Sequence, residues 1–114
     1  MSFHSELIVK SLHGGDWVLF RPLIWQTREG RITVPAGFVT DLASVPQALR
    51  SFASMDDTQA PAVLHDWLYR KGIGTRAEAD RLLFDAMRSK GAGWFKARAW
   101  WLAVRLGGWI SWKG

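Results

Sequence analysis

Pro35-Ala36-Gly37-Phe38-Val39-Thr40-Asp41-Leu42-Ala43-Ser44-Val45-Pro46 is the stretch at which this sequence changes texture. Before it, apolar residues come in short runs broken by turn formers. Glu6–Lys10 and Trp17–Phe20 read as strands around His13-Gly14-Gly15-Asp16. Leu23–Thr27 and Arg31–Val34 read as a hairpin around Glu29-Gly30, where glycine supplies a positive φ. Pro35-Ala36-Gly37 ends or bends this region, and Phe38-Val39 adds a short extended piece. After Asp41 the apolar spacing becomes helical. Ser44-Val45-Pro46 is a helix opening, with the cap near Ser44 or Val45 and the proline in the first turn. A second helix is predicted from Thr58 to Gly72, with Pro61 still in its first turn. The third has the clearest start: in Thr75-Arg76-Ala77-Glu78 the threonine and the glutamate can each satisfy a free backbone N–H of the other's turn. It runs to about Lys90, with Gly91 as a left-handed terminator. A last helix goes from near Trp94 toward Leu106, where Gly107-Gly108 weakens it. The expected fold is α+β in one domain, 1–114. A small N-terminal antiparallel sheet with hairpins (1–40) precedes three to four helices (44–106) and a Trp-rich basic tail (107–114).

Composition narrows the function classes. The chain has 114 residues, 48% of them hydrophobic, which is enough for a core and excludes disorder as the main state. There is no cysteine, so a disulfide scaffold, a zinc ribbon and a thiol nucleophile are excluded. No run approaches the roughly 18 apolar residues of a membrane span. Met1–Lys10 lacks the basic start and apolar run of a signal peptide, so export by that route is not expected. The net charge of +5 is concentrated at one end. From Ala86 to Gly114 the bases are Arg88, Lys90, Lys96, Arg98, Arg105 and Lys113, with no acid among them. Five of the eight tryptophans (Trp94, Trp100, Trp101, Trp109, Trp112) share that segment. Such an end favours anionic partners: nucleic acid, anionic lipid, or an acidic protein patch.

The polar residues of the helical half call for an explanation. Ala62, His65, Asp66 and Tyr69 share one stripe of the second helix, while Leu64, Trp67 and Leu68 cover another. On the third helix Asp80 shares a face with Ala77, Phe84 and Met87 and is a candidate for burial. Asp41, at the strand-to-helix junction, also has apolar neighbours. An unpaired buried carboxylate is costly, so these groups are expected to share partners, protons or a metal. One reading has Asp41, His65, Asp66 and Asp80 converge, with Asp41, His65 and Asp80 holding a divalent metal ion. In another, His65 is a general base oriented by a carboxylate, with Tyr69 or Ser44 as donor or nucleophile. The bland alternative gives each group a local duty. Asp41 caps a helix, Asp66 pairs with Arg70, Asp80 pairs with Arg76 or Arg81, and His65 donates to a core carbonyl. Most catalytic patterns are absent, among them His-Glu-x-x-His, the phosphate-binding glycine loop and Gly-x-Ser-x-Gly. His65-Asp66 resembles the ligand pair of HD-type phosphohydrolases. Those enzymes need an upstream helical histidine, however, and His4 and His13 lie in the strand region.

In the last helix Trp94, Ala97, Trp101 and Val104 form a stripe expected to pack on the sheet. Arg105 stands four residues from Trp101, a spacing suited to a cation–π contact. The tail reads as structural anchors, as a membrane-surface helix, or as a nucleic-acid contact; beyond the structural use, a protein or membrane interface is the favoured expectation.

The Pro35–Pro46 stretch, Ala62-Val63-Leu64-His65-Asp66-Trp67-Leu68-Tyr69, Arg76-Ala77-Glu78-Ala79-Asp80 and Val104-Arg105-Leu106-Gly107 together resemble a small uncharacterised family of tailed bacteriophages and prophages, a domain of unknown function. Its pattern is Gly-Phe-x-Thr-Asp-x-Ala-Ser-x-Pro, then His-Asp-x-x-Tyr, then Arg-x-x-Ala-Asp. The resemblance implies a phage origin, a place among late, virion or lysis functions, and location in the host cytoplasm or the virion. It marks Asp41, Ser44, Pro46, His65, Asp66, Tyr69, Arg76 and Asp80. Two expectations follow. One is a hydrolase, metal-assisted or acid/base, acting on the cell envelope or on nucleic acid. The other is a non-enzymatic virion or tail-associated assembly protein with a Trp-rich surface for a virion or host partner.

Overall fold

In the computed structural model, residues 2–11, 16–40, 55–110 and 112–113 are described. Their strands are β1 (Ser2–Phe3), β2 (Val9–Ser11), β3 (Trp17–Leu19), β4 (Leu23–Thr27), β5 (Gly30–Val34) and β6 (Val39–Thr40). The helices are α1 (Met55–Lys71), α2 (Arg76–Ser89) and α3 (Trp94–Gly107), followed by a 3-10 turn at Gly108–Ile110. The strands make two antiparallel three-stranded sheets, ordered β1-β4-β5 and β2-β3-β6. The fold is therefore α+β, with strands first and helices after. The expected turn at His13–Gly15 and the helix opening at Ser44–Pro46 lie outside the described residues.

The expected strand Glu6–Lys10 is shorter and later, and a brief β1 precedes it. Ser5 accounts for the break. Its hydroxyl accepts the Ile24 N–H at 2.8 Å and donates to the Pro22 carbonyl at 3.3 Å. A side chain thus takes the place of a backbone ladder partner, and the strand leaves β4 after Phe3 to pair with β3 instead. In the β4–β5 hairpin Thr27 faces Gly30, so the turn is Arg28-Glu29, one residue ahead of the expected position.

The inward residues Leu23 and Trp25 of β4, Val34 of β5 and Leu19 of β3 pack against Ala60, Val63 and Leu64 of α1 and Ala86 of α2. Helix α1 begins three residues before the expected Thr58, which puts Pro61 inside it. A proline so near the start forfeits one intrahelical bond, and its buried ring contributes packing in return. The α2 capping box is present, with Glu78 N–H to Thr75 Oγ1 at 3.1 Å and Thr75 N–H to Glu78 Oε1 at 3.0 Å. At the other end of α2, Gly91 adopts φ +95°, and the Ala92 N–H returns to the Met87 carbonyl at 3.0 Å. This six-to-one closure needs the left-handed residue predicted there.

Helix α3 corrects one expectation. Its buried stripe is Ala97, Trp100 and Val104, packed on Leu83 and Met87 of α2 rather than on the sheet. Trp94 is half-exposed and Trp101 half-buried at the edge of that contact. Replacing Thr75 by alanine should lower stability by about 1 kcal/mol. A urea titration should show this as a lower midpoint with an unchanged slope.

Candidate functional site

Spacing on α1 and α2 builds a shared polar cluster. His65 and Tyr69 stand one turn apart on α1, and Arg76 and Asp80 one turn apart on α2. The short connection from Gly72 to Thr75 lays the end of α1 against the start of α2, so the two pairs face each other. Asp80 is completely buried, while His65 is 4% and Tyr69 2% exposed.

Asp80 Oδ1 lies 2.8 Å from His65 Nε2 and accepts the Tyr69 hydroxyl at 2.5 Å. Asp80 Oδ2 accepts from an Arg105 guanidinium nitrogen at 2.9 Å, with Arg76 Nε 4.0 Å away. Arg76 Nε donates to the Tyr69 oxygen at 3.1 Å. Its terminal nitrogen reaches the carbonyls of Val104 and Arg105 at 2.8 and 2.5 Å. One cation thus caps the carbonyl end of α3, where the helix dipole is negative.

Burial works to raise the Asp80 pKa. Hydrogen bonds from His65, Tyr69 and Arg105 outweigh it, and the carboxyl sits below its ordinary value. An ionised carboxylate only accepts, so His65 Nε2 carries the shared proton. Tyr69 is pushed well above its ordinary value of 10, first by burial and then by its bond to Asp80. It stands in the cluster as a neutral donor.

Tyr69 also anchors the C-terminal segment. Its ring meets Trp112 edge-on at 5.2 Å, and its carbonyl accepts the Lys113 N–H at 3.1 Å. Gly108 presses so close that a Cβ there would stand 2.9 Å from Tyr69 Cε2.

Asp66 does not join this cluster. Neighbouring helical residues diverge by about 100°, and Asp66 turns toward the strands. Its Oδ2 accepts from the Thr40 hydroxyl at 2.6 Å and its Oδ1 from Arg70 Nε at 3.0 Å. Arg70 also donates to the Val39 carbonyl at 3.1 Å. Of the predicted site residues, His65, Tyr69, Arg76 and Asp80 converge, Asp66 makes a separate tie, and Asp41 and Ser44 lie outside the described residues. Arg105 was missed as a member. The demand of a buried carboxylate for cations was the signal for it, but the sequence offered a competing use beside Trp101. Arg98 makes that cation–π contact instead, 4.5 Å over Trp101 and 5.9 Å over Trp94.

Among the described residues no three acids or histidines gather as a metal-ligand set. The other groups on Asp80, a phenol and two guanidiniums, complete a carboxylate's hydrogen bonds rather than a cation's coordination shell.

Fold and cluster together define a small α+β domain whose helices are tied by a buried, fully partnered carboxylate. A family model described as a protein of unknown function (DUF1353) matches residues 17–104, and the chain belongs to that family. No curated protein and no solved structure matches it.

The pH dependence has a definite sign. The folded pKa of Asp80 lies below the unfolded value of about 3.9. Its contribution is complete above that value and is lost as pH falls through the folded pKa. Melting temperature should therefore fall on acidification below about pH 4, and Asp80→Asn should flatten that part of the profile. Asp80→Ala should cost about 3–5 kcal/mol, because it strands the facing cations. Gly108→Ala should cost about 1–3 kcal/mol through its clash with Tyr69.

Proposed function

We propose that this chain is a non-enzymatic assembly module of a phage or prophage, attached to a virion or tail component through the outer face of α3. The observation that carries this reading is the exposure of Phe95 (83%), Leu102 (48%) and Leu106 (71%) on the side of α3 opposite its buried stripe. Trp109, 66% exposed, continues the patch past the helix end. A helix apolar on both faces belongs in contact on both. The occupant we assign is a protein with an apolar patch rimmed by acids, complementary to a segment with bases and no acid from Ala86 onward. The phage setting is supported by the motif resemblance, and it implies a chain made in the host cytoplasm that ends in the particle.

One geometric feature supports a second reading, a hydrolase acting on the cell envelope or nucleic acid. His65 is held 2.8 Å from Asp80, an orientation suited to a general base. Its burial favours bracing over turnover, since a base must reach its substrate.

Leu106→Ser and Phe95→Ser should leave the melting temperature nearly unchanged and abolish co-sedimentation with particles. His65→Ala should lower stability by about 1–3 kcal/mol, because it removes a donor from a buried charge. A His65→Ala protein that melts like the parent would favour the hydrolase. Co-sedimentation that survives both surface changes would overturn the assembly reading.

A further inference from the structure

Beside the outer face of α3 runs a groove of roughly 510 Å³ between α2 and α3, lined by Ala77, Arg81, Phe84, Trp94, Arg98, Trp101 and Arg105. No acid lines it. Each wall sets a guanidinium against an aromatic ring. Arg81 stands 5.7 Å from the Phe84 ring on α2, and Arg98 stands over Trp101 and Trp94 on α3.

The cations differ in what they have left to give. Arg81 is paired with Asp85 at 3.3 Å, and Arg105 spends one nitrogen on Asp80. Arg98 is exposed, and among the described residues no carboxylate pairs with it. It rests 4.5 Å over the Trp101 ring, a contact that lessens the side-chain freedom a bound anion would have to remove. Trp94 is half exposed, with Phe95 edge-on to it at 5.1 Å, and its open half offers aromatic surface next to that charge. Helix α3 starts at Trp94 without a side-chain cap and without an acid in its first turn, leaving the positive end of its dipole uncompensated.

We propose that this groove binds a nucleotide unit, with Arg98, assisted by Arg105, on the phosphate and Trp94 stacking on the base. A bare anion would need only the guanidinium. A neutral aromatic would leave the guanidiniums without an anion to pair with. A ligand carrying both a planar ring and a phosphate uses the whole lining, and the volume falls within the range of small-molecule sites. Two sources present this chemistry, a free nucleotide and a single strand. The site shares an edge with the assembly face, where Trp94 meets the Phe95 ring edge-on at 5.1 Å, and Arg98→Gln and Leu106→Ser, one in each site, let either proposal fail alone.

The test is anisotropy of a fluorescein-labelled oligothymidylate titrated with the full chain, with thymidine monophosphate, inorganic phosphate and phosphatidylglycerol vesicles as competitors. The strand should bind, and Arg98→Gln should weaken it about tenfold and lower the slope of log affinity against log salt by about one. Trp94→Ala should weaken it about tenfold through lost stacking. Leu106→Ser, on the neighbouring face, should leave it unchanged. Competition by the free nucleotide at comparable phosphate concentration supports the free-nucleotide source, and competition by the strand alone supports the strand. Absence of binding, indifference to both groove variants, or equal competition by inorganic phosphate or by vesicles would overturn the proposal.

Discussion

A carboxylate with no access to water has to find its solvation inside the protein, and at Asp80 that requirement falls on three helices at once. His65 and Tyr69 come from α1, Arg105 from the last turn of α3, and Arg76 stands beside Asp80 on α2. The desolvation penalty of such an ion is several kcal/mol, and it is offset only when every lone pair is occupied with good geometry. The cluster is therefore conditional. It is favourable in one mutual arrangement of the helices and unfavourable in those close to it. A sliding helix or a rotated face would leave a charge unpaired in the interior. Arg76 extends the condition by reaching both the Tyr69 oxygen and the terminal carbonyls of α3. Apolar groups of the same volume would hold the helices at least as tightly. What charges add is a preference for one register.

The neighbouring residue does the corresponding job for the strands. Asp66 follows His65 in sequence, and the helical turn between them sends one group to α2 and the other to β6. Two adjacent polar residues in the otherwise apolar Ala60–Leu68 run thus tie α1 in two directions. The apolar contact of Leu64 and Val63 with Trp25, Leu23 and Val34 fills the space between those ties. The His-Asp pair thus forms a corner brace: Asp66 and Asp80 have different partners, and neither shares the other's charge.

The elements governed by local chemistry were legible in the sequence. The Thr75–Glu78 box, the Gly91 terminator, the β4–β5 hairpin and the start of α3 all rest on residues interacting within a few positions. What was not legible depended on distant partners. The Ser5 hydroxyl ends β1 only because β4 lies beside it. The buried stripe of α3 was misplaced by one position, Trp100 taking the place expected of Trp101, because two adjacent tryptophans leave periodicity alone undecided. Burial of Asp80 and its pairing with Arg76 followed from spacing. Arg105 did not, since 25 residues separate it from Asp80 and nothing local distinguishes it from the other bases of the tail.

The tryptophans divide by use. Trp25 and Trp100 sit in the two larger buried clusters, and among the described residues neither buried indole N–H has a partner, a cost of about 1–3 kcal/mol each that their volume offsets. Trp17, Trp67, Trp101 and Trp112 are half-covered at element edges, while Trp94 and Trp109 stand largely outside. The core does not require those last two. Together with Phe95, Leu102 and Leu106 they turn apolar surface to water, which invites self-association. The bases of the same segment oppose it, because two copies brought face to face would bring like charges together in a chain whose net charge is already +5. Under the assembly reading proposed above, an apolar face guarded against its own copies and left open to acids would select for an unlike partner. The combination of surface hydrophobicity with one-signed charge is thus itself a specificity device, and it argues for heterologous contact over a homodimer.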